Sequence, residues 1–179
     1  MRKRLNQGKR KMGKFNNKIS AEFHPPRKWI LERALSYKNE DIDVEALKLI
    51  GVKCPAHRIS VKKGFVTDLA STPKIMWNII APWDIARAAI IHDFLYKRIR
   101  QYRAGRNSGL GTENKETEFD ELLNTYNGIV RTAKKAADDV FLMGMKDADP
   151  SVSTWKIYSA YYAVRMFGRW SIIPNEENV

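Results

Sequence analysis

His92 and Asp93 stand side by side in the apolar run "ARAAIIHDFLYKR", residues 86 to 98, and Tyr96 follows the histidine by four residues. Four residues is about one helical turn, so His92 and Tyr96 share a helix face and Asp93 lies at its margin. A second helical pattern, "RTAKKAADDVFLMGMKDA", puts Asp138 on its apolar side and turns Asp139 away. A buried carboxylate is costly unless paired, and His92 is its natural partner. A histidine held by a carboxylate at one ring nitrogen is fixed in tautomer, and its other nitrogen can take a proton from water or a hydroxyl. Asp93, together with Asp68 in "FVTDLAST", can supply oxygen ligands to a hard cation such as Ca²⁺ or another divalent ion. The same residues also have a plain structural reading. A histidine on one helix facing another is commonly a packing residue, and His-Asp alone is a two-letter motif of low specificity.

The elements that would position these groups are mostly helical. From Asp84 to about Arg100 the apolar positions Ile85, Ala88, Ala89, Ile91, Leu95 and Ile99 form a broad stripe that includes His92 and Tyr96. The Asp138 helix carries Ala133, Ala137, Val140, Phe141 and Met145, and "STWKIYSAYYAVRMFGRW" forms a third helix after a Ser/Thr start. Upstream, "DIDVEALKLIGVKC" reads as a short helix with an aspartate cap and Gly51 at its end. "WILERALSYKN" reads as a strand or a short helix, and "HRISVKKGFVTD" as a hairpin or a strand turning into a loop. Thr72 and Pro73 predict the start of a short helix, "PKIMWNII". Residues 101–117 are polar and rich in glycine and serine, a surface loop, with "EFDELLNTYNGIV" a short amphipathic helix inside the insertion. The expected fold is mainly α (α+β): three or more packed helices with a small N-terminal β-hairpin or strand region.

With 179 residues, the chain has room for one sizeable core. Its net charge of +12 is concentrated at one end: residues 1–18 hold Arg2, Lys3, Arg4, Lys9, Arg10, Lys11, Lys14 and Lys18 and no acid, which leaves +4 for the other 161. The sequence therefore predicts a basic flexible tail over 1–22 and one globular domain over 23–179, with a polar insertion at about 101–128. Such a tail favours phosphate backbones, anionic lipid or an acidic protein groove, and counterion release makes DNA an economical partner. The tail lacks the apolar run of a secretory signal, and no stretch is apolar enough to span a membrane. A single cysteine, Cys54, excludes an intrachain disulfide and a multi-cysteine metal site. There is no P-loop, dinucleotide fingerprint, H-E-x-x-H helix or G-x-S-x-G elbow.

The segments "KGFVTDLASTPKIMW", "APWDIARAAIIHDFLY", "AADDVFLMGM" and "YYAVRMFG" resemble, in order, the signature segments of a family of phage and prophage proteins, the domain-of-unknown-function family numbered 1353. The resemblance covers roughly residues 25 to 170 and implies a phage or prophage origin, in the virion or the host cytoplasm. More distantly, H-D-x-x-Y on one helix and A-D-x-x-F on a second are similar to the two catalytic helices of the phospholipase A2 superfamily. That resemblance implies His92 as base for an attacking water, Asp93 as calcium ligand, Asp138 as the orienting carboxylate and Tyr96 as a second partner of Asp138. "GFVTDLAST" departs from that superfamily's glycine-rich calcium loop in having only Gly64, and its helix-linking disulfides are missing.

Two functions are expected from these readings. One is a virion- or lysis-associated phage protein with a His-Asp, metal-dependent hydrolase site for lipid or another envelope ester. The other is a non-enzymatic virion component whose basic tail binds DNA or a neighbouring subunit, with the His-Asp network specifying the helix pairing.

Overall fold

The computed structural model describes residues 12–25, 28–67, 82–109, 116–148 and 151–174. Its strands are β1 (Lys14–Phe15), β2 (Ala21–His24), β3 (Lys28–Leu31), β4 (Leu35–Lys38), β5 (Arg58–Val61) and β6 (Val66–Thr67). Its helices are α1 (Val44–Lys48), between β4 and β5, followed after β6 by α2 (Pro82–Gly109), α3 (Glu116–Lys146) and α4 (Thr154–Ser171). The mainly helical α+β class is the one observed. No helix among the described residues is long and apolar enough to cross a membrane.

The strands form two antiparallel three-stranded sheets, ordered β1-β4-β5 and β2-β3-β6. In the first, Leu35 pairs with Val61 and Tyr37 with Ile59, and all four are buried. Alternation thus delivers one apolar face to the core. "WILERALSYKN" resolves into parts of two strands, β3 and β4, that belong to different sheets. Of the two readings of "HRISVKKGFVTD", a strand turning into a loop is the one observed for β5; the hairpin does not form, because β5 pairs with β4 and β6 with β3. The chain crosses between sheets at Gly64, whose φ of +82° favours glycine and whose N–H donates to the Leu31 carbonyl at 2.7 Å. α1 is capped as expected: the Asp43 carboxylate accepts from Ala46 N–H at 3.0 Å, and Gly51 takes a left-handed φ of +75°.

The N-terminal segment departs from the tail reading from Gly13 onward. β1 pairs with β4, and the Phe15 ring lies 4.7 Å from that of Tyr37. One oxygen of Asp147, just past α3, accepts from Gly13 N–H at 3.0 Å, Tyr37 Oη at 2.5 Å and Asn39 Nδ2 at 3.1 Å. Lys14 and Lys18 are exposed; Arg2, Lys3, Arg4, Lys9, Arg10 and Lys11 lie outside the described residues, as do Thr72 and the "PKIMWNII" segment.

α2 is buried on most sides because it lies between α3 and the β4/β5 side of the first sheet. Small residues let α2 and α3 approach closely: a Cβ on Gly144 would stand 3.0 Å from the Ala88 Cβ. The loop expected over 101–117 is largely helix, since α2 runs to Gly109 and "EFDELLNTYNGIV" is the first half of α3 rather than a separate helix. Gly105 and Gly128, inside these helices, cost about 1 kcal/mol each relative to alanine. Tertiary contacts offset that local preference. Tyr102 stacks on Tyr126 with centroids 5.9 Å apart, while Arg100 and Arg103 donate to the Ser171 and Ile172 carbonyls at 2.9 and 3.1 Å. These last two bonds satisfy carbonyls at the C-terminal end of α4 that the helix itself leaves open.

Candidate active site

α2 and α3 bring three of the sequence-derived residues together. His92 Nε2 lies 3.0 Å from Asp138 Oδ1, and Tyr96 Oη donates to the same oxygen at 2.7 Å. The spacing of His92 and Tyr96 turns both side chains towards α3, where the imidazole lies against the Tyr96 and Phe141 rings at 4.0 and 4.9 Å. His92 and Asp138 are wholly buried.

Two cations that the sequence reading did not assign occupy the other carboxylate oxygen. Lys134, one turn earlier on α3, donates to Asp138 Oδ2 at 2.7 Å, and Arg165 of α4 does so at 3.1 Å. Lys134 Nζ also donates to the Val164 carbonyl at 3.2 Å. Asp138 is therefore the point at which α2, α3 and α4 are joined by polar contacts. The i,i+4 relation of Lys134 and Asp138 was available in the sequence; Arg165 had no comparable signal, because only helix packing brings it there.

These contacts set the protonation states. Burial acts to raise the Asp138 pKa, but the hydrogen bonds and charges of His92 and Lys134 outweigh it and hold the carboxyl below the usual range. Burial lowers the His92 pKa; Asp138 opposes that shift, and Lys134 adds to it. An ionised Asp138 facing a neutral imidazole places the ring proton on Nε2, an assignment made from the hydrogen-bond network. Nδ1 then presents a lone pair, and it has no hydrogen-bond partner among the described residues. Burial also pushes the Tyr96 phenol well above its ordinary range, with Asp138 adding to the shift, so Tyr96 acts as a donor.

Asp93 is not part of this cluster. It is nearly buried, on the side of α2 facing β6, and accepts a hydrogen bond from Thr67 Oγ1. Asp68, the next residue in the chain after Thr67, lies outside the described residues. Calcium takes six to eight oxygen ligands, and no group of three or more His, Cys, Asp and Glu side chains suited to a metal comes together among the described residues. Because Asp68 is one of its two expected ligands, the cation site itself falls outside the described residues. What the described residues build is a wholly buried imidazole with one nitrogen anchored on Asp138 and the other without a hydrogen-bond partner among them.

No curated protein and no solved structure matches the chain. One family model does, over residues 44–164, a span that takes in α1, α2, α3 and most of α4 and contains His92, Asp93, Tyr96, Lys134 and Asp138. That match covers about two thirds of the sequence, and the chain belongs to the family described as "Protein of unknown function (DUF1353)".

Proposed function

We propose that the chain is a phage-associated ester hydrolase in which His92 is the general base and Asp138 its orienting partner. The observation that supports this is the division of the His92 ring: Nε2 is held by Asp138, while Nδ1 has no partner among the described residues. In the proposed reaction Nδ1 takes a proton from water as the water oxygen attacks an ester carbonyl. The new imidazolium keeps its Nε2–H on Asp138, and the proton on Nδ1 passes to the departing alkoxide, so that acid and alcohol leave. Lys134 and Arg165 share the Asp138 charge and so favour the unprotonated histidine at rest. The similarity to the phospholipase A2 helices points to a lipid or other envelope ester, and the family resemblance to a phage origin. A divalent cation held by Asp93 with Asp68 belongs to this proposal as a separate requirement, read out by chelation, and the acid–base steps are not routed through it.

The test is fatty-acid release by the full chain from phosphatidylethanolamine/phosphatidylglycerol vesicles, with calcium or with EDTA. Wild type is expected to cleave and His92→Asn to lose at least 100-fold with its circular dichroism intact. No release by wild type in calcium, or equal release by the variant, overturns the reading.

A second reading has its own observations. His92 has 0% exposure, and Asp138 is surrounded by four donor side chains, as suits a network that fixes helix pairing in a non-enzymatic virion component. There the basic tail would bind DNA or a neighbouring subunit. Deleting residues 2–11, which stops short of Gly13, should then sharply reduce salt-sensitive DNA affinity; unchanged affinity removes the DNA arm of this reading.

A further inference from the structure

α4 buries Ile157, Ala160, Val164 and Gly168 against the rest of the protein and presents large apolar side chains on the opposite face. Trp155, Tyr158, Tyr162, Met166 and Trp170 are all exposed, and their spacing of three or four residues aligns them in one stripe. Trp155 and Trp170, 60% and 53% exposed, stand about 22 Å apart along the axis at 1.5 Å per residue. A contiguous exposed patch of this kind marks an interaction surface.

The charge around the stripe indicates what covers it. α4 contains Lys156, Arg165 and Arg169 and no Asp or Glu. The Arg169 guanidinium lies 4.1 Å over the Trp170 ring, Lys156 Nζ is 5.8 Å from the Trp155 ring, and Lys146 of α3 is 4.7 Å from the Tyr158 ring. A second copy of the chain would bring these cations against one another. Single-stranded nucleic acid needs open ring faces for its bases, whereas the Trp170 ring has Arg169 over one face and Phe167 alongside at 6.2 Å. An anionic bilayer suits both features: tryptophan, tyrosine and methionine enter the headgroup–acyl boundary while Lys and Arg meet the phosphates.

We propose that the exposed face of α4 is a docking surface that lays this helix in the plane of an anionic phospholipid bilayer. The inference goes beyond the hydrolase reading and does not depend on it, because binding is measured without cleavage.

The test is co-sedimentation of the full chain with phosphatidylglycerol or phosphatidylcholine vesicles. Wild type should partition onto phosphatidylglycerol, and Trp155→Ser/Trp170→Ser should lower the partition coefficient at least tenfold with unchanged circular dichroism. Lys156→Glu/Arg169→Glu should remove the preference for phosphatidylglycerol. If the tryptophan pair perturbs folding, Tyr162→Ser/Met166→Ser serves the same purpose. Undiminished binding by these apolar variants would mean that the basic tail alone holds the vesicle, and would overturn the proposal. So would failure of wild type to bind vesicles, whether it instead self-associates or binds a single-stranded oligonucleotide through the same residues.

Discussion

Lys134 and Asp138, one turn apart on α3, form a 2.7 Å ion pair whose carboxylate is wholly buried and whose ammonium also reaches a carbonyl of α4. The pair thus converts a local helical spacing into a contact between α3 and α4, and through the other carboxylate oxygen into a contact with α2. Removing the anion leaves the buried Lys134 ammonium without its counter-charge among the packed helices, while Arg165, at the solvent edge, loses its partner.

Asp138→Asn should therefore destabilise the protein by about 3–5 kcal/mol, the usual cost of breaking a buried pair from one side. Urea unfolding followed by circular dichroism measures it. A loss below 1 kcal/mol would show that the network contributes little to helix pairing.

The lowered pKa of His92 has a definite sign in stability. The unfolded histidine takes up its proton near pH 6.5, the folded one only at lower pH. Stability contributed by neutral His92 is present above pH 6.5 and is lost as pH falls from there through the folded pKa. Asp138, lowered from 3.8, adds its own loss only below that value, so the interval between is dominated by the histidine among this pair. Midpoints of urea unfolding should fall between pH 7 and 5 in wild type, and the slope should flatten in His92→Gln.

Gly168 and Tyr96 should be coupled. A Cβ at Gly168 would stand 2.2 Å from the Tyr96 Oη and 3.1 Å from its Cζ. Gly168→Ala is expected to cost about 2–3 kcal/mol by overpacking, and Tyr96→Phe about 1–2 kcal/mol for its lost hydrogen bond to Asp138. Because removing the hydroxyl relieves the closest contact, the double variant should cost about 1 kcal/mol less than the two singles together. Strict additivity in a double-mutant cycle would refute the contact.

Asp147→Ala removes the common acceptor of Gly13, Tyr37 and Asn39 and should cost roughly 2–3 kcal/mol, at about 1 kcal/mol per bond. Asp147→Asn, which keeps an acceptor oxygen, should cost less. Amide exchange should speed up selectively in β1 and β4; uniform exchange across the sheet would contradict a local clamp.

The central helices were legible because their residues obey a period that burial enforces. His92, Tyr96 and Asp138 fall on apolar faces at turn spacing, and packing those faces together leaves the polar groups little choice of partner. Arg165 was not legible, since its neighbours in sequence say nothing of the distance from α4 to Asp138. β1 escaped for a related reason: two residues carry no alternation, and Lys14 and Phe15 are extended only because β4 offers a paired edge. At Gly105 composition argued for a loop, and helix continuity prevailed through contacts such as Tyr102 with Tyr126 that a local reading does not contain. The crossing at Gly64 was likewise hidden, because strand pattern does not say which sheet a strand joins.

The bond from Gly13 to Asp147 fixes where the first residues of the chain are moored. Asp147 follows α3 and precedes α4 in the chain, so Gly13 is held at the end of α3, and in sequence Met1 to Lys11 come before it. Eleven residues reach at most about 40 Å from that mooring. Six of them are Lys or Arg. Once α4 rests on a charged surface, the effective concentration of these cations beside it is set by the tether and not by the bulk solution. Two weak attachments joined in this way act as one stronger one, and lengthening the chain between Lys11 and Gly13 should weaken their combination without altering either part.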